Sequence, residues 1–92
     1  MDKEKFRIQA KQKIDDLVDR INKFERKQYE TSEKTKVSYE KQISELEVKL
    51  SDLKKNYDEL KTKNEQKWQL AKQNFNKGAE YISTGLKKLT EG

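Results

Sequence analysis

Ninety-two residues suffice for one domain, and with 30% hydrophobic and 42% charged side chains they leave too little apolar material for the thick core of an ordinary globular fold. The 22 basic and 17 acidic groups nearly cancel, and that balance, with the ordered apolar spacing below, argues against a disordered chain. Cysteine and histidine are absent, which excludes disulfides, thiolate metal sites and imidazole acid–base chemistry.

There is no proline, and the three glycines fall in the last fifteen residues. The chain is therefore nearly free of helix breakers and rich in Lys, Glu, Gln and Leu, which propagate helices well. Its start, MDKEKFRIQAKQK, lacks the apolar run of a signal peptide. No stretch approaches the ~20 apolar residues of a membrane span. A cytoplasmic protein is the expectation.

The first periodic segment places Phe6, Ala10, Ile14, Leu17, Ile21 and Phe24 along one side of a helix, with Val18 widening the stripe. Residues 25–37 keep no consistent seam, and extending the first register puts Gln28, Thr31 and Thr35 at seam positions. Thr31 and Ser32 are N-cap candidates, so the spacing predicts a helix over about 3–29, a turn at about 29–36, and a second helix beyond it. In that second segment Tyr39, Ile43, Leu46, Leu50, Leu53, Tyr57 and Leu60 alternate by four and three through three heptads, the coiled-coil pattern.

Trp68, Ala71, Phe75, Ala79, Ile82, Leu86 and Leu89 form a third stripe, within an arc of roughly 80° on a helical wheel. Pairs eleven residues apart recur in it, a period that does not drive a left-handed supercoil. Between the stripes, residues 61–67 read two ways. Thr62-x-x-Glu65 fits a capping box and a break. The steps of four from Leu60 through Asn64 to Trp68 fit a stutter in one continuous helix, and the stutter is the preferred reading. Residues 1–92 then form a single coiled-coil domain: an all-α, elongated helical hairpin with one short helix and one long one over about 36–89. The long helix would measure about 80 Å and the short one about 40 Å, and the unpaired length predicts an oligomer.

The candidate packing seam is Ile14, Leu17, Ile21, Phe24, Tyr39, Ile43, Leu46, Leu50, Leu53, Tyr57 and Leu60. Trp68 reads as a large packing residue or as an interfacial anchor in a lipid headgroup layer. Tyr29, Tyr39 and Tyr57 read as seam-edge packing. Gly78 and Gly85, seven apart, either permit a close helix approach or only loosen the last helix.

Nothing in the pattern supports catalysis. Carboxylates occur in groups, but Asp16 with Arg20, Asp19 with Lys23, Glu45 with Lys49 and Glu59 with Lys63 are acid-before-base pairs of an exposed helix. There is no phosphate loop or zinc spacing. No catalytic, cofactor or metal residue and no small-molecule substrate is expected. Residues 61–92 carry seven bases against three acids, so the tail is a basic amphipathic helix suited to an anionic membrane or an acidic protein. Nineteen lysines against three arginines argue against a nucleic-acid reader.

The charged first helix, Tyr39-Glu40-Lys41-Gln42-Ile43 opening a heptad helix, and the tail from Trp68-Gln69-Leu70-Ala71-Lys72 through Phe75 to Leu86-Lys87-Lys88-Leu89 resemble a family of short bacterial coiled-coil proteins described as stress-response or apolipoprotein-like. The resemblance covers most of the chain, which departs from the pattern in having fewer alanines and one tryptophan in the tail. It implies a small, helical, stress-linked protein with no catalytic residue. Three functions are therefore expected, in this order: a self-associating structural or interaction protein, a peripheral lipid-surface binder, and a small subunit docked on a larger assembly such as a ribonucleoprotein or phage particle.

Overall fold

The structure is a computed structural model that describes residues 3–27 and 33–91, with the side chains of 3–27 and 36–89. It holds three helices of nearly equal length: α1 (Lys3–Lys27), α2 (Glu33–Glu59) and α3 (Glu65–Glu91). Residues 28–32, which carry Tyr29 and the cap candidates Thr31 and Ser32, lie outside the described residues.

The three helices run up, down and up, so α1 and α3 are parallel. Lys3 pairs with Glu65 at one end, while at the other the Tyr39 hydroxyl donates to the Leu89 carbonyl at 3.4 Å. The bundle measures 49 × 18 × 17 Å. That length matches single helices of about 40 Å side by side, not a helix of about 80 Å. The expected two-helix hairpin, with one short and one long helix, is thus replaced by a three-helix bundle. The coiled-coil description falls with it, since the heptads of α2 face a shared interior and not a seam awaiting a second chain.

The reversal at residues 60–64 explains the difference. The N–H groups of Leu60, Lys61 and Thr62 donate to the carbonyls of Tyr57, Asp58 and Glu59 at 3.1, 3.2 and 3.1 Å, three-residue hydrogen bonds that tighten the end of α2. No described residue has a positive φ, so this end is made without the left-handed glycine that often marks one. Asn64 N–H then donates to Thr62 Oγ1 at 3.2 Å. Asn64 Oδ1 accepts from the Lys67 N–H at 3.0 Å, and the Asn64 carbonyl accepts from the Trp68 N–H at 2.9 Å. That is an N-cap. The residue whose step of four imitated a stutter is the one that starts a new helix. The Asn64→Ala variant should lose about 1 kcal/mol in urea unfolding, and an unchanged midpoint would contradict the cap.

Charge placement suits the dipoles of α1 and α3, whereas α2 has no base in its last turn. Glu4 and Glu65 sit in first turns, and Arg26, Lys27 and Lys88 in last turns. The stripes then close on one another. Ile14, Leu17 and Ile21 from α1, Ile43, Leu46, Leu50, Leu53 and Leu60 from the second stripe, and the whole third stripe from Trp68 to Leu89 share one core. Phe6, Val18, Phe24, Tyr39 and Tyr57 pack on its edges. No polar or charged residue is buried among those described. With three helices pooled, a 30% apolar chain fills a narrow core within itself, and no helix is left with the unpaired length that argued for an oligomer.

Candidate functional site

The apolar tail stripe faces inward along its full length. Trp68 is 1% exposed, and Ile82 and Leu86 are fully buried. Trp68 meets Phe6 edge-on with ring centroids 5.8 Å apart, and Phe6 meets Phe75 at 6.1 Å. Two ammonium groups cover this aromatic end. Lys3 Nζ lies 5.3 Å from the Trp68 ring, and Lys72 Nζ lies 5.3 Å from the Phe6 ring and 5.6 Å from that of Trp68, geometries that add cation–π attraction. Trp68 Nε1 and Ser83 Oγ are buried with no hydrogen-bond partner among the described residues. In the closed bundle the stripe is therefore not presented to a lipid surface.

Gly78 and Gly85 mark the close approach of α2 to α3. A Cβ on Gly85 would lie 2.6 Å from Leu46 Cδ2, and one on Gly78 would lie 3.1 Å from Leu53 Cδ1. Each glycine thus seats a leucine of the facing helix, and the two pairs are one heptad apart on both helices. Ala71 and Leu60 continue the two rows by the same step.

Two of the shallow clefts on the outer surface differ in character. One, of about 530 Å³, runs between α2 and α3 over Leu46 and Gly85, and Glu45, Lys77, Glu80 and Lys88 stand along it. Tyr81 lines it too, half exposed, with Lys49 Nζ 5.2 Å from its ring. The other, of about 350 Å³, is lined by Arg20, Lys23, Phe24 and Lys27. The first mixes charges, whereas the second presents three cations and one aromatic ring. Ile8, Val37, Val48 and Leu70 are large apolar side chains left outside the core.

Apart from Lys3–Glu65, the exposed ion pairs among the described residues are local. Asp16 and Arg20 are 3.8 Å apart, Lys11 and Asp15 are 2.7 Å apart, and Lys61 and Asp58 are 3.9 Å apart. The hydrogen bond that Lys11 donates to Asp15 raises the Lys11 pKa, and those that Glu65 accepts from Lys3 and Gln69 lower that of Glu65. Such exposed pairs contribute little to stability. Glu47 is the exception in sign. Its carboxyl shares a hydrogen bond with Glu25 across the α1–α2 interface, and this contact, with partial burial, raises its pKa. A raised carboxyl pKa means that ionisation at neutral pH opposes folding, and the opposition is relieved as pH falls through the raised value. The Glu47→Gln variant should therefore be slightly more stable than the wild type at pH 7. The gap should close below the ordinary glutamate range, and a gap that widened in acid would reverse this reading.

Compared with known proteins, the chain matches no family model, no curated protein and no solved structure.

Among the described residues no group of three or more metal-ligating side chains comes together, and no helix is long and apolar enough to cross a membrane. The features missed by reading the sequence are the Asn64 cap and the identity of the leucines, Leu53 and Leu46, that approach Gly78 and Gly85; the close approach itself is one of the two readings of those glycines. A signal for both was present: the small residues Ala71, Gly78 and Gly85 keep the same seven-residue step as Leu46, Leu53 and Leu60. A row of small residues set against a row of leucines is what two antiparallel helices in close contact need, and that arrangement requires a turn between them.

Proposed function

We propose that this chain is a non-enzymatic interaction module that binds a partner protein on its outer surface while its own core stays closed. The observation that carries the reading is the division of the chain. The described core is wholly apolar, so among the described residues the charged groups and several large apolar side chains, Leu70 and Tyr81 among them, are on the outside. Catalysis relies on groups shielded from water and tuned by that shielding, and the three resolved shifts here belong to surface groups. Recognition by a small helical bundle instead uses outer helix faces and the creases between them.

Self-association is not part of this proposal, because the helix length that called for a second chain is covered by α3. Lipid binding through the tail stripe would need the bundle to open. A photo-crosslinking residue placed at Lys23 or Tyr81 in cells tests the module directly. Discrete adducts with another protein are expected at one position or both, together with a monomeric mass of 11.0 kDa for the purified chain in sedimentation. Adducts only with a second copy, or none at all, would sink the reading. So would a blue shift of Trp68 emission seen only when anionic vesicles are added.

A further inference from the structure

We infer that the crease between α1 and α3 is a docking groove for an acidic amphipathic helix of a partner protein, a proposal that rests on the interaction-module reading and specifies its surface. Phe6 touches Trp68 and Phe75, which marks its line on α1 as the flank facing α3. Seven-residue steps from Phe6 along that line reach Lys13, Arg20 and Lys27. Lys13 and Arg20 are half-buried and Lys27 is exposed, as expected for side chains leaning along a crease and out of its open end. On α3, Lys72 reaches across to the Phe6 ring, and steps of four, seven and four from it lead through Asn76 and Ser83 to Lys87. Both walls of the crease are therefore basic. Among the described residues its acids are Glu65, held by Lys3, and Asp16, beside Arg20.

This crease also joins the two helices that pack least extensively on each other. At the far end of the α1 line lies the cleft of about 350 Å³, lined among the described residues by α1 alone, in which Phe24 sits among Arg20, Lys23 and Lys27, a seat for one apolar side chain ringed by cations. The spacing selects the occupant. Cations every seven residues on one line are about 10.5 Å apart, the repeat with which a helix presents flanking carboxylates to a neighbour. Successive phosphates of a nucleic-acid strand rise about 3.4 Å, and lysines as point charges match them less well than arginines would. The α2–α3 cleft, where Glu45 and Glu80 stand beside Lys77 and Lys88, selects neither sign. A fourth helix laid in the α1–α3 crease would complete a four-helix arrangement.

The test uses the full chain and a fluorescent amphipathic peptide of four heptads, with leucine at the two seam positions and glutamate flanking them, read by anisotropy. The glutamate peptide is expected to bind and to weaken as salt rises, and its lysine-flanked counterpart is expected not to bind. The triple variant Lys13→Glu, Arg20→Glu, Lys27→Glu should lose at least about tenfold in affinity while keeping its far-UV circular dichroism. A triple reversal elsewhere, Lys41→Glu, Lys54→Glu, Lys55→Glu, should lose much less. Equal losses in the two triple variants, binding of the lysine peptide, or no binding of either peptide would overturn the groove. Tighter, equally cation-dependent binding of single-stranded DNA or of anionic vesicles would overturn the helical occupant. Partner adducts at Tyr81 with no peptide binding would remove this inference and leave the module reading standing, whereas the absence of all adducts would remove both.

Discussion

The Trp68→Ala variant is expected to lose about 3–5 kcal/mol of unfolding free energy, the largest loss from any single truncation in this chain. Trp68 is 1% exposed and is the largest of the fully buried side chains. It links the start of α3 to α1 through Phe6, across the least extensive of the three helix–helix contacts. Removing it would leave a cavity beneath Lys3 and Lys72 that Phe6 alone cannot fill. A chain of this size has roughly 5–14 kcal/mol in all, so the variant should be marginal, with its thermal midpoint lowered by about 15 °C or more. Trp68→Phe should cost much less, because it keeps an edge-on ring against Phe6 and removes an indole N–H that has no partner among the described residues. Urea unfolding followed by far-UV circular dichroism reads both variants. A loss below about 1 kcal/mol in Trp68→Ala would mean that this residue is not in the core.

Gly85→Leu is the second large effect, expected at about 2–3 kcal/mol. The first added carbon would lie 2.6 Å from Leu46 Cδ2, and a full leucine side chain there would push α2 and α3 apart. Gly85→Ala should be near neutral, since the gain in helix propensity of about 1 kcal/mol is offset by the shift asked of the Leu46 tip. The decisive comparison is a double-mutant cycle. Leu46→Ala alone opens a cavity and should cost about 2–5 kcal/mol. In Gly85→Leu with Leu46→Ala the new side chain enters the vacated space, so the double variant should lose at least about 1 kcal/mol less than the sum of the singles. Strict additivity would mean that Gly85 does not seat Leu46.

The placement of the core could be read from the sequence to an unusual degree, because helical packing is written as spacing. Ile14, Leu17 and Ile21, the heptads from Tyr39 to Leu60, and the stripe from Trp68 to Leu89 all occupy the interior or its edge. The chain path could not be read as easily. A reversal usually announces itself with glycine or proline, and residues 60–64 contain neither. Three-residue hydrogen bonds and an asparagine cap make the turn, and Asn64 sits at a step of four that a stutter would share. The cap signal read at Thr62 was two residues early, since Thr62 Oγ1 instead receives the Asn64 N–H. Surface character was only partly legible. The positive charge of the tail is a property of composition, but the line Lys13, Arg20, Lys27 becomes a wall of one crease only when Phe6 fixes which flank of α1 meets α3.

The central claim is that α3 folds back along α2, and one distance tests it most directly. Val37 and Lys88 are both exposed, near the ends of α2 and α3 that the Tyr39–Leu89 hydrogen bond brings together. Spin labels on cysteines at these two positions, measured in chain diluted with unlabelled protein, should lie within about 25 Å of each other, given helix axes 8–10 Å apart plus the label arms. A continuous helix through Asn64 would separate them by about 77 Å. A distance near that value would contradict the bundle and return the tail stripe to the surface.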